Sequence, residues 1–349
     1  METPYISSAS ISTALRHSIL QMQTQLTQAQ TEVSTGQVAD IGLSLGANMG
    51  QYVSLTQQLS SLQTITTTNN VVATRLSATD SAMTDMLSTA QSFLNNLVAD
   101  QNGTTSGQVM QQQAASSLQS LTSDLNTTVD QQYVFAGINS DVKPIADYAQ
   151  TPPSAAQQAV ANAFSAAFGT SQSGTGATNI SATDMQSFLG TQFAGLFTGS
   201  AWTSNWSSAS SQSTRSRITP SELVNTSVTA NEPAMQKLAM AYTMVSDLGL
   251  SNLSQGAAQA VISTATQTVT SAISELTDLQ ASVGTMQSQV INANNQMSVQ
   301  TNVLTTQINN LDTVDHYEAS TRVNELTTQI ETAYSLTEQL HGLSLVNYL

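Results

Sequence analysis

Leu15-Arg16-His17-Ser18-Ile19-Leu20-Gln21-Met22-Gln23-Thr24-Gln25-Leu26-Thr27-Gln28-Ala29-Gln30-Thr31-Glu32-Val33 decides the fold. Its apolar positions, Leu15, Ile19, Met22, Leu26, Ala29 and Val33, step by alternating fours and threes. The same rhythm returns at the other end in Val323, Leu326, Ile330, Ala333, Thr337 and Leu340. Steps averaging about 3.5 residues put a narrow apolar seam on one side of a helix. A helix with so narrow a seam draws most of its stability from whatever packs on it. Neither seam has a core of its own nearby, so the two ends are expected to pair and to be completed by assembly with other subunits.

Moving inward, Ser34-Thr35-Gly36 and then Gly42, Gly46 and Gly50 read as a glycine-punctuated flexible joint. A long helix is expected from about Tyr52 to Val98, on Leu62, Ile65, Asn69, Val72, Leu76, Thr79, Met83, Met86, Ala90, Leu94 and Leu97. At about 1.5 Å per residue it would exceed ~60 Å. Asn102-Gly103 marks a turn, and a further helix reads through Val109, Leu118, Leu121, Leu125 and Val129. Tyr133-Val134-Phe135-Ala136-Gly137 then signals passage into an extended segment. From there to about residue 230 the heptads vanish, and Pro152-Pro153, the Gly169–Gly176 stretch and the Ser-rich run around Trp202 and Trp206 mark an inserted unit of mixed α and β structure. Its core is expected around Phe164, Phe168, Phe188, Phe193, Phe197, Trp202 and Trp206. The insert is expected to be dispensable for the rods that flank it.

Helical patterning resumes near Glu232 and runs from Leu276 through Leu279, Val283, Met286, Val290, Ala293, Met297, Gln300, Leu304, Ile308 and Leu311, with a weak break between Asp312 and Glu318. The expected fold is mainly α: long antiparallel, coiled-coil-like rods built from the N- and C-terminal regions, with an inserted α+β domain. The expected division is residues 1–50 with 312–349 as a terminal coiled-coil domain, 51–137 with 231–311 as a helical rod domain, and 138–230 as an outer domain.

Composition restricts function. Of 349 residues only 8% are charged and 40% apolar, against roughly 25% and 45–50% in ordinary globular chains. Ser, Thr, Gln, Asn, Ala and Gly fill the difference, which suits uncharged contact surfaces in a packed polymer. Seven basic and 22 acidic residues give a formal charge of −15. Arg16, Arg75, Lys143, Arg215, Arg217, Lys237 and Arg322 are scattered, so no nucleic-acid groove is expected. No apolar run approaches the ~18 residues of a membrane span and no signal peptide opens the chain, so no membrane partner is expected. The absence of cysteine removes disulfides and thiolate metal sites and suits a protein that works outside the cell without oxidative folding, and export without a cleavable signal would need a dedicated secretion machine.

No catalytic, cofactor or metal site is expected. Only His17, His316 and His341 could act as imidazole bases or ligands, and all lie at the extreme ends. His316-Tyr317-Glu318 lacks the paired histidines of a helical zinc site. Asp312, Asp315 and Glu318 recur every three residues without a glycine-turned calcium loop and read as a solvated helix face. Met22, Met83, Met86, Met286 and Met297 fall on the seams, where methionine serves as an adaptable packing residue.

Taken in order, three segments resemble one family. They are Gln28-Ala29-Gln30 followed by Ser34-Thr35-Gly36; Leu125-Asn126-Thr127-Thr128 followed by Tyr133-Val134-Phe135-Ala136-Gly137; and Leu343-Ser344-Leu345-Val346-Asn347-Tyr348-Leu349. The chain is similar to the hook-associated protein 3 family, the hook–filament junction proteins of the bacterial flagellum, themselves related to flagellin. The loop Val38–Gly46 departs from the usual flagellin loop and looks like the alphaproteobacterial variant. The resemblance implies a structural, extracellular role: export unfolded through the flagellar type III channel, then assembly as a short ring of subunits between hook-associated protein 1 and the flagellin filament, with an export chaperone engaged beforehand. It implies a subunit and chaperone interface on Leu15, Ile19, Met22, Leu26 and Val33, and on Val323, Leu326, Ile330, Leu336, Leu340, Leu343, Leu345, Tyr348 and Leu349. A filament flagellin is the nearest alternative. A secreted type III translocator or effector is the more distant one.

Overall fold

The computed structural model describes residues 8–100 and 107–342. It is mainly helical, with ten α-helices and two small antiparallel hairpins among the described residues. In chain order these are α1 (Ser8–Thr35), α2 (Ile41–Leu45), α3 (Met49–Ala99), α4 (Gly107–Leu125), β1 (Thr128–Val129), β2 (Gln132–Tyr133), α5 (Ala155–Phe168), α6 (Ala182–Phe188), α7 (Gly199–Asn205), β3 (Arg215–Thr219), β4 (Glu222–Asn225), α8 (Pro233–Asp247), α9 (Gln255–Asp312) and α10 (His316–Gly342).

The helices start and stop where local chemistry dictates. Ser154 Oγ accepts from the Gln157 amide at 3.1 Å to open α5, and Gly169 in the left-handed region closes it. Ser181 Oγ accepts from the Asp184 amide at 3.1 Å and donates to the Asp184 carboxylate at 2.7 Å, opening α6. Pro233 occupies the first turn of α8, where its missing N–H is no loss. Along the long helices, threonine hydroxyls turn back on the carbonyl four residues earlier, as Thr27 does to Gln23 at 3.0 Å and Thr327 to Val323 at 2.8 Å. The hydroxyls thereby become largely satisfied within their own helix.

Two compact units emerge: residues up to Gln63 together with those from Ser298 onward, and Thr64–Met297. The sequence-based divisions fall elsewhere, at 50/51, 137/138, 230/231 and 311/312. Within Thr64–Met297, α3 and α9 lie antiparallel, with Gln280 Nε2 donating to Thr84 Oγ1 at 3.1 Å and Asn69 Nδ2 to Asn294 Oδ1 at 2.8 Å. Leu76, Met83, Met86, Ala90 and Leu97 of the expected stripe are buried, as are Val283, Val290 and Met297 opposite. In α4 the stripe differs from expectation. Val109 is exposed, Met110 and Ala114 take the inward positions, and the helix ends before Val129 enters β1.

One core runs through the rest of this unit. Phe164, Phe168, Phe188, Phe193, Phe197, Trp206 and Tyr148 form an unbroken chain of ring contacts with centroids 4.8–5.9 Å apart. The same buried cluster includes Phe93, Leu121, Tyr242 and Val261 of the flanking helices. Polar links stitch the two together: Trp202 Nε1 donates to Asn231 Oδ1 at 2.9 Å, Asn69 Nδ2 to the Ile218 carbonyl at 2.9 Å, and Ser254 Oγ to the Ile180 carbonyl at 2.7 Å. The inserted residues therefore share their core with the helices on either side.

Gly137 sits where this fabric is tightest. Its φ is +62°, and a Cβ there would lie 2.5 Å from the Gln212 carbonyl oxygen and 2.6 Å from that of Ser210. Gly137→Ala is expected to destabilise the unit by at least ~2 kcal/mol, adding steric clash to the left-handed penalty. Urea denaturation of the full chain measures it, and a midpoint equal to that of the parent would contradict the packing described.

Partly buried acids make this unit sensitive to pH. Burial, and secondarily the nearby Asp85 carboxylate, push Asp124 up to about 6. Burial likewise raises Glu232, and raises Asp247 despite its bond from Tyr148. An acid whose folded value lies above its unfolded ~3.9 favours the folded state most below that pH. Its contribution fades as pH rises through about 6. Asp124→Asn is thus expected to stabilise the chain at about pH 7.5 by ~1 kcal/mol, discounted because the group is half exposed. It should give no gain at about pH 4, and paired denaturation curves at the two pH values read the difference directly.

Candidate assembly interface

The two terminal helices form the core of the other unit. Gln23 Nε2 donates to the Tyr334 hydroxyl at 2.9 Å, and Arg322 Nη1 to Glu32 Oε2 at 3.0 Å. Advancing along α1 thus means retreating along α10, so the pair is antiparallel. Small residues allow close approach: Ala29 is 1% exposed and Ala319 and Ala333 are buried, with Ile19, Leu326 and Ile330 filling the line between them.

The seam is nonetheless only half covered. Leu15, Met22, Leu26, Val33 and Val323 are half-buried. Leu336 is 47% exposed, and Leu20, off the seam, is 60% exposed. Met22, Ala333 and Leu336 line an open hollow of about 610 Å³. Of the residues expected at the interface, the structure brings Ile19, Leu326 and Ile330 into the helix pair and leaves Leu336 outward. Leu340 lies in α10 with its side chain outside the description, and Leu343, Leu345, Tyr348 and Leu349 lie outside the described residues.

Sequence reasoning missed how the pair is anchored. Gly36–Val38 and Asp312–Val314 run side by side, with Val38 N–H donating to the Asp312 carbonyl at 2.8 Å and Val314 N–H to that of Gly36 at 3.0 Å. The expected flexible joint is instead partly helical: α2, capped by Asp40 through the Leu43 amide at 2.9 Å, leads into a 3-10 turn at Gly46–Asn48. Asp312, expected on a solvated face, is 3% exposed. Its Oδ2 accepts from the Tyr52 hydroxyl at 3.4 Å, and partial burial together with that carboxylate raises the Tyr52 phenol. Asp315 caps α10 by accepting from the Tyr317 amide at 2.8 Å. Glu32, on the seam between Ala29 and Val33, joins Arg322 and through it Glu318. A carboxylate on an apolar stripe and a lone arginine on its partner were the visible signal for that pair.

This arrangement can pack and lock. His17 and His316 are exposed. Among the described residues no cluster of three His, Cys, Asp or Glu could hold a metal ion, and no helix is long and apolar enough to cross a membrane.

Comparison with known proteins gives the family. The bacterial flagellin N-terminal helical region matches residues 6–140, and the bacterial flagellin C-terminal helical region matches residues 266–349. This chain belongs to the bacterial flagellin family. The two matches cover both helical ends and leave residues 141–265 between them. A solved structure from Vibrio parahaemolyticus, described there as a flagellar hook-associated protein, aligns with a TM-score of 0.52 at 9% identity, covering 76% of this chain and 97% of that one. At that identity the likeness concerns the fold. No curated protein matches the sequence. Flagellin-family chains are structural subunits of the extracellular flagellum, and the present one is a structural flagellar protein of this kind.

Proposed function

We propose that this flagellin-family chain is the adaptor between hook and filament. It leaves the cell unfolded through the flagellar export channel and assembles as a short ring, with hook-associated protein 1 on one side and flagellin on the other. Before export, a chaperone covers the apolar stripe of its C-terminal end. The observation that carries an assembly role is the α1–α10 seam, half-covered among the described residues, whose apolar residues a neighbouring subunit would bury. The ending Leu343-Ser344-Leu345-Val346-Asn347-Tyr348-Leu349 and its resemblance to junction proteins favour the adaptor over a filament flagellin.

Immunogold labelling of intact flagella, with antibody raised against residues 138–230, tests the reading. One cluster of label at the hook–filament boundary is expected, and a strain lacking the protein should carry hooks without filaments. Label along the whole filament would assign the chain to the filament instead.

A further inference from the structure

We propose that copies of this chain grip one another through a cationic hairpin on one copy and an electronegative cleft on the next, an inference that rests on the assembly role above. The cleft lies between the outer face of α4 and residues 143–150 and encloses about 750 Å³. Tyr148 donates its hydroxyl to Asp247 Oδ2 at 2.5 Å, and the other oxygen of that carboxylate makes no hydrogen bond among the described residues. Lys143, the cation of the lining, is already paired with Asp147 at 2.9 Å. Helix α8 ends at Asp247, so its terminal carbonyls add negative potential. Gln119 and Gln157, also in the lining, carry amides able to orient a planar donor. A guanidinium suits such a site, because its fork can meet the free carboxylate oxygen and neighbouring carbonyls together.

The chain itself carries the matching group. Arg215 and Arg217 stand two residues apart on β3, on the same face of the strand, and both are exposed. Neither is in an ion pair among the described residues; Arg217 donates to the Pro220 carbonyl at 2.7 Å, within its own turn. In a chain of net charge −15 with seven basic residues, this is the one place where two arginines sit so close in sequence. Within one copy the hairpin is fastened to α3 at Asn69 and to the Gly137 carbonyl through Thr214, and neither arginine is among the residues that line the cleft. A guanidinium seated in the cleft is therefore supplied by a second copy. Unlike surfaces meeting in this way generate a ring or a helical array.

The absence of cysteine makes the test clean. Gln119→Cys and Glu222→Cys are placed in one full-length chain, and assembled hook–filament complexes are treated with a short bis-maleimide. Covalent dimers and higher ladders are expected with both cysteines and with neither alone; their absence from assembled complexes overturns the contact. In parallel, Arg215→Glu with Arg217→Glu should reduce filament-bearing cells at least tenfold while monomer circular dichroism stays unchanged. Adding Asp147→Lys and Gln150→Lys to that chain should restore them to within about twofold. Reversal without effect, or without rescue, overturns the arginine–carboxylate pairing, and a cleft filled by some other cation would give that result. Gold label at the junction with no cross-link rejects this contact and leaves the adaptor reading intact.

Discussion

Deleting residues 141–228 and closing the gap with a short linker is expected to unfold what remains of the Thr64–Met297 unit. The sequence suggested the opposite, because heptads stop and restart cleanly around the insert. The structure puts Ile145, Val160, Phe164, Phe193, Trp202 and Ile218 into one buried cluster with Leu118, Leu125, Leu238 and Val261 of the flanking helices. Losing a single buried large aromatic typically costs ~3–5 kcal/mol. A whole domain is stable by only about 5–15 kcal/mol. The deletion also leaves Asn231 without the Trp202 and Ser207 side chains, and Asp247 without the Tyr148 hydroxyl. Thermal unfolding followed by circular dichroism should lose its cooperative transition for this unit, and the variant should bind a dye specific for exposed apolar surface. A soluble, strongly helical product with a sharp transition would show that the flanking helices hold together alone.

Ala29→Asp is expected to open the terminal pair without disturbing Thr64–Met297. Ala29 is 1% exposed on the face of α1 that packs on α10, and the buried residues of α10 around that level are Leu326 and Ile330. A carboxylate there has no cation to meet, since the nearest ion pair, Glu32 with Arg322, is already formed. Burying an unpaired charge costs ~3–5 kcal/mol. The helices should separate instead, with α1 and α10 amides of the monomer losing most of their protection from hydrogen exchange. Cells carrying the variant should show hooks without filaments. Gln25→Asp, at an exposed position of the same helix, serves as the control. Equal exchange in the two variants, with normal filaments, would refute this account of the seam.

The sequence by itself determined the helical frame and the flagellin-type ends. Alternation of threes and fours is a property of neighbours along the chain, and it marked Ile19, Ala29, Leu326 and Ile330 as well as the buried stripe from Leu62 to Leu97. Expected ends lay within a few residues of the observed ones because capping residues and helix breaks are local too: α3 runs from Met49 to Ala99 where Tyr52 to Val98 was expected, and α9 gives way to α10 between Asp312 and His316. Only the tertiary structure decided what joins distant segments. Nothing in the spacing of Asp312, Asp315 and Glu318 says that Asp312 turns inward toward Tyr52, or that the Asp312 carbonyl accepts from Val38. Backbone hydrogen bonds carry no side-chain signature, so contacts of that kind leave no pattern to read. The same holds for the insert, whose apolar residues announced a core but not whose core it was. An aromatic side chain is equally apolar whether it packs on its own unit or on the helices beside it, and only the folded chain shows Trp202 bonded to Asn231 and Tyr148 to Asp247.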